Sequence, residues 1–117
     1  MDVFPVRRMR RYRRRIVQEL FTETRLRASD LVVPVFVDEG INRPSPIPSM
    51  PGRARLPVRD LAALAGRVGD LGLRTMLLFG IPKAKDPEAR SAFAPDGVVQ
   101  QSVQALKEAD PDLVIAT

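Results

Sequence analysis

The sequence predicts an α/β fold with parallel strands joined by outer helices, and three observations carry that prediction. Two apolar runs of strand length, "LVVPVFV" (31–37) and "TMLLFGI" (75–81), are hydrophobic at nearly every position, as suits strands buried on both faces. Each is followed, after a loop, by a segment whose apolar residues recur at helical spacing. A third apolar run, "LVIA" (113–116), repeats the strand pattern, so the order is β-α-β-α-β, which right-handed crossovers convert into a parallel sheet.

The chain opens on an arginine-rich arm. "RRMRRYRRR" (7–15) places seven arginines in nine positions. The first fifteen residues carry a net +6 against a chain total of +5, so the remaining 102 residues sum to −1. The basic character therefore belongs to the arm and not to the body. Three readings fit such a run: contacts to a phosphate backbone with Tyr12 stacking on a base, bidentate pairing with carboxylates on another subunit, or a solvated tail. The arm has no serine before Ser29, unlike organelle transit peptides, and no apolar run reaches the length of a membrane span. The expectation is a cytoplasmic protein.

"IVQELFTETRL" follows, with Ile16, Val17, Leu20 and Phe21 on one helical face, and predicts a short helix. In the first strand, Pro34 removes a backbone donor, which places it at a strand edge or an irregularity. Residues 38–57 contain five prolines and two glycines and read as a long loop without secondary structure, in which Pro51-Gly52 marks a turn and Met50 a packing residue. "VRDLAALAGRVGDLG" puts Leu61, Leu64, Ala65, Val68 and Leu71 on one stripe, with Gly72 as the C-terminal cap. After the second strand comes a second long loop, 82–95; Asp96 then caps a helix carrying Val99, Val103 and Leu106, which stops before Pro111. Both loops leave the carboxyl ends of strands, where parallel α/β folds bind ligands.

The chemistry available is narrow. With no cysteine and no histidine the chain has no disulfide, no thiol nucleophile and no imidazole base. Ser49 thus has no triad, and a metal held by these residues alone would be a hard, oxygen-ligated ion. Lys83 and Lys85, beyond the second strand, occupy a place suited to Schiff-base or phosphate chemistry, but Asp86 and Glu88 nearby favour their charged, solvated form. Neither a GxGxxG nor a Walker pattern accompanies Gly80.

Six segments, taken together and in order, resemble one family. They are "FPVRRMRRYRR", "ETRLRASDLVVPVFVDEG", "IPSMPG", "LGLRTMLLFGIPKAKD", "APDGVVQQSVQALKE" and "PDLVIAT", and the family is porphobilinogen synthase, also called δ-aminolevulinic acid dehydratase. Arg53, Ala54 and Pro57 depart from its usual pattern in the first loop.

The resemblance implies the N-terminal portion of a TIM (β/α)8 barrel preceded by an extended arm: residues 1–28 as arm with a short helix, residues 29–117 as the first two βα units and the third strand. It implies condensation of two 5-aminolevulinate molecules to porphobilinogen in tetrapyrrole and haem synthesis. It also implies a homo-oligomer, commonly an octamer, in which Arg8, Arg10, Arg11 and Arg13 of the arm contact a neighbouring subunit.

The family's two Schiff-base lysines and its metal-binding segment fall beyond Thr117. No catalytic, cofactor or metal residue is therefore expected within these 117 residues, while zinc or magnesium is implied for a full-length protein. A barrel of this kind takes about 250 residues, so the expectation is an incomplete barrel, inactive by itself. An arginine-rich nucleic-acid-binding module is the alternative reading.

Overall fold

In a computed structural model, which describes residues 15–117, the apolar runs form strands β1 (Val32–Asp38) and β4 (Thr75–Ile81), paired in parallel along their whole length from Val32–Thr75 to Asp38–Ile81. Strand β5 (Val114–Ala116) pairs in parallel with the start of β4. Helix α1 is a single turn (Arg15–Gln18) continued by a 3-10 turn, α2 spans Leu61–Asp70 and α3 spans Val98–Ala109.

The first long loop is not devoid of secondary structure. Strands β2 (Ser45–Pro46) and β3 (Ala54–Leu56) pair antiparallel, and β3 pairs in parallel with β1 at Phe36 and Val37, which makes the sheet mixed, in the order β2-β3-β1-β4-β5. The hairpin is closed locally. Arg53 N–H donates to Met50 C=O across Pro51-Gly52, Gly52 has φ +80°, and Ile47 N–H donates to Arg53 C=O. That is the proline-then-glycine pattern of a type II turn. A two-residue strand is too short for a period-2 signal, so the proline count outweighed it in the sequence. Met50, read as a packing residue, is instead 37% exposed on this turn.

One face of the sheet is packed. Val35 and Val37 of β1 and Met76 and Leu78 of β4 meet Leu61, Ala65 and Val68 of α2 and Val98 and Leu106 of α3 in a single buried cluster, closed by Leu113. Each fully buried side chain contributes roughly 2 kcal/mol. Gly80 lets α3 approach β4: a Cβ there would lie 2.5 Å from Val99 Cγ2 and 2.9 Å from Val98 Cγ1.

The helix termini differ from expectation in two places. Leu71, assigned to the apolar stripe, is 69% exposed, because α2 ends at Asp70 and Leu71 is already the cap. Gly72 (φ +73°) follows it, with Gly72 N–H to Gly69 C=O and Leu73 N–H to Val68 C=O, a Schellman arrangement. At the start of α3 the cap is Gly97, not Asp96. A Cβ at Gly97 would lie 2.5 Å from the Ser91 carbonyl, so the close approach of the preceding loop selects glycine. The Asp96 carbonyl accepts from Gln101 Nε2, and Gln100 Nε2 donates to Ala92 C=O.

The other face of the sheet is bare among the described residues. Phe36 and Phe79 stack there with ring centroids 5.1 Å apart, and Phe79 is 43% exposed. Both strands read as buried on two faces, but helices cover only one, since both α2 and α3 lie on the Val35–Met76 side. Helix α1 forms where the apolar spacing placed it, yet Ile16 is 85% and Leu20 78% exposed.

Candidate functional site at the carboxyl ends of β1 and β4

The carboxyl ends of β1 and β4 bring four charged residues together. Asp38 closes β1 and is 7% exposed. Its Oδ1 accepts the Gly40 N–H at 2.9 Å, and its Oδ2 accepts from Arg55 Nη1 at 3.3 Å, an ion pair that ties the hairpin to the end of β1. The next residue, Glu39, donates its N–H to the Ile81 carbonyl at 3.0 Å, and its Oε2 accepts the Lys83 N–H at 3.0 Å. The two long loops are thus joined through adjacent acids at the end of β1.

The geometry follows from pairing register. Asp38 faces Ile81 across the ladder, so the residues after each strand emerge side by side. By alternation Asp38 shares a sheet face with Phe36, and Phe79 and Ile81 belong to that same face. A half-exposed aromatic floor beside a buried carboxylate paired with a half-exposed guanidinium can hold the apolar part of a small molecule and orient its polar end. A separate open cleft of about 670 Å³, lined by residues including Arg43, Pro44 and Arg59, runs along the first loop.

The residues singled out in the sequence fall as follows. Lys83 and Lys85 are exposed, so neither sits in the desolvated setting that activates a lysine nucleophile. Ser49 is exposed on the hairpin turn. Arg8, Arg10, Arg11 and Arg13 lie outside the described residues. Among the described residues no group of three or more His, Cys, Asp or Glu could hold a metal ion, and no helix is long and apolar enough to cross a membrane.

Sequence reasoning missed the Asp38–Arg55 pair. A faint signal exists in "VFVDEG", where an acid ends an apolar strand with glycine two residues on, the pattern of an Asx turn. Its partner lies 17 residues away, a distance at which local patterns carry no information.

Comparison with known proteins agrees with this architecture. The family model described as delta-aminolevulinic acid dehydratase matches residues 6–117. The delta-aminolevulinic acid dehydratase of Methanothermus sociabilis is 47% identical over 115 residues, covering 97% of this chain and 36% of the relative. That of Methanothermobacter thermautotrophicus is 45% identical over 117 residues, covering 97% and 36%. The crystal structure of the Toxoplasma gondii delta-aminolevulinic acid dehydratase (porphobilinogen synthase), in complex with the reaction product porphobilinogen, superposes with a TM-score of 0.79 at 34% identity, covering 98% of this chain and 32% of that one. The chain therefore spans about a third of the length of the relatives it matches.

Proposed function

The chain belongs to the delta-aminolevulinic acid dehydratase family, and from that premise we propose that it is the N-terminal part of a porphobilinogen synthase, inert by itself. The observation that carries the proposal is the collinear match through residues 6–117, supported by the likeness of fold to a product-bound enzyme. In this reading residues 1–28 are the arm and residues 29–117 supply the first two βα units and third strand of a TIM barrel. The bare face bearing Phe36 and Phe79 then faces the barrel interior, and β1 and β4 present Asp38, Glu39 and Lys83 at its catalytic end.

The whole protein condenses two 5-aminolevulinate molecules to porphobilinogen with loss of water, a hydro-lyase reaction in the cytoplasm. This part contributes walls and loop anchors to that reaction. Asp38 and Arg55 hold the first loop against β1, Glu39 ties it to the second, and the phenylalanines exclude water from one side of the cavity. Arg8, Arg10, Arg11 and Arg13 pair with carboxylates of a neighbouring subunit in a homo-oligomer, commonly an octamer. Zinc or magnesium is implied for the full-length protein by the family reading, and the described residues form no ligand set for either. Nothing in the comparisons favours the nucleic-acid module.

The test is a chimera in which residues 1–117 replace the corresponding N-terminal part of the Methanothermus sociabilis relative. The chimera is expected to convert 5-aminolevulinate to a product that reacts with Ehrlich's reagent, and the 117-residue chain alone to give none. A folded but inactive chimera, or turnover by the isolated chain, would overturn the proposal.

A further inference from the structure

The second long loop is built as a unit. Residues 82–97 leave the carboxyl end of β4 and return beside it, for a Cβ on Gly80 would lie 2.9 Å from Val98 Cγ1 at the start of α3. A surface loop whose ends meet and whose interior bonds to itself is an Ω-type excursion. Within it the Asp86 carboxylate accepts the Arg90 N–H at 3.0 Å, the Asp86 carbonyl accepts the Ala89 N–H at 3.1 Å, and the Ala94 N–H donates to the Arg90 carbonyl at 3.1 Å. These bonds hold Ala89 at φ +50°, a left-handed backbone that alanine rarely adopts. The rear of the loop is fixed to α3 by Gln100 Nε2, which donates to the Ala92 carbonyl at 2.9 Å. Between the anchors the loop carries Phe93, 73% exposed.

The front of the loop is fixed by Glu39. In a parallel ladder, a residue that donates to one position of its neighbour accepts, through its own carbonyl, from the position two further on. Glu39 N–H donates to the Ile81 carbonyl, so by register its carbonyl is due the Lys83 N–H. The Glu39 carboxylate takes that donor instead, Oε2 to N at 3.0 Å. A side chain thus makes the last rung between β1 and β4, and the main chain is released to turn at Gly40 into the first loop. Glu39 and Lys83 are both exposed, so water competes for this rung and it is weaker than the ladder bonds below it.

We propose that Glu39 is a positioning residue for the family's reaction: its carboxylate holds the second loop at the carboxyl end of the sheet, and substrate binding draws on that placement. This rests on the family reading above and deepens it. Glu39 touches no reacting atom and acts through the Lys83 amide. What it supplies is an acceptor at a fixed reach from the main chain, not a charge. Because the loop is bonded within itself and anchored at the rear by Gln100, loss of the front anchor lets it swing as one body and does not unfold it.

The chimera tests it through two readouts, the KM for 5-aminolevulinate and the rate at which trypsin cuts after Lys83, Lys85 and Arg90. Glu39→Ala is expected to raise KM about three- to tenfold, the range that loss of one hydrogen bond allows, with kcat held within about twofold, and to speed cleavage by a similar factor. A purely structural loss would instead lower the amount of active enzyme, and with it the apparent kcat, at unchanged KM. Glu39→Gln keeps an acceptor at the same reach and should restore both readouts, whereas Glu39→Asp keeps the charge, loses the reach and should restore neither. Should Glu39→Ala fail to fold, the Gln and Asp variants carry the same comparison. Rescue by Asp and not by Gln would assign the effect to charge and overturn the proposal. An unchanged KM in an active Glu39→Ala chimera would overturn it too, and would leave the functional reading standing. A folded but inactive chimera sinks the functional reading, and the cleavage contrast between Ala and Gln then still decides whether Glu39 holds the loop, equal rates rejecting it.

Discussion

Asp38 shows how much one contact decides at the scale of a residue. Its carboxylate is nearly buried at the end of an apolar strand and depends on the Gly40 amide and on Arg55, whose side chain is 43% exposed. Exposure of the guanidinium keeps the pair's Coulomb attraction modest. Loss of the partner still leaves a buried acceptor short of a hydrogen bond, which costs about 1–3 kcal/mol. Arg55→Ala in the chimera is therefore expected to lower the unfolding free energy by an amount in that range, read as a lower urea midpoint with an unchanged m-value. A shift below about 0.5 kcal/mol would show that water replaces the guanidinium without loss. Neither residue type is unusual in the sequence; what made the pair invisible is that the hairpin turn at Pro51-Gly52 must form before Arg55 can reach β1.

At the scale of the element, the helices were legible and their contacts were not. The three- and four-residue spacing placed α1, α2 and α3, and Gly72 marked the end of α2 with its positive φ. Gly80 gave no such signal, for its role is to admit Val98 and Val99 of α3 against β4. Gly80→Ala is expected to push α3 outward and to destabilise the chimera by about 1–3 kcal/mol, the usual range for overpacking a filled layer. Thermal unfolding followed by circular dichroism measures it, and a melting temperature equal to that of the parent would mean that the valines turn aside freely. The hairpin is the opposite case: its turn chemistry was readable in Pro51 and Gly52, but its strands were too short to declare a period.

At the scale of the whole molecule the governing fact is a sheet covered, among the described residues, on one side. Leu61, Met76, Leu106 and Leu113 are fully buried against each other, whereas Phe79, Val32 and Val114 on the opposite face remain 43–56% exposed. A bare apolar face with two open strand edges favours association over a stable monomer. The isolated 117-residue chain is expected to bind the dye ANS strongly and to melt without a sharp transition, and the chimera to do neither. A monodisperse, cooperatively melting monomer with weak dye binding would show that one covered face suffices.

The sequence by itself determined the order of the main strands and helices, the bounds of β1 and β4 to within a residue, the α2 terminus at Gly72 and the family, because periodicity, turn residues and collinear motifs are properties of neighbouring positions. Only the tertiary structure decided that β3 takes the upper edge of β1, that Asp38 meets Arg55, that Gly97 and not Asp96 caps α3, and that one face of the sheet stays open among the described residues. Each of those depends on which distant segment arrives alongside, and an apolar strand looks the same in sequence whether one of its faces is covered or both.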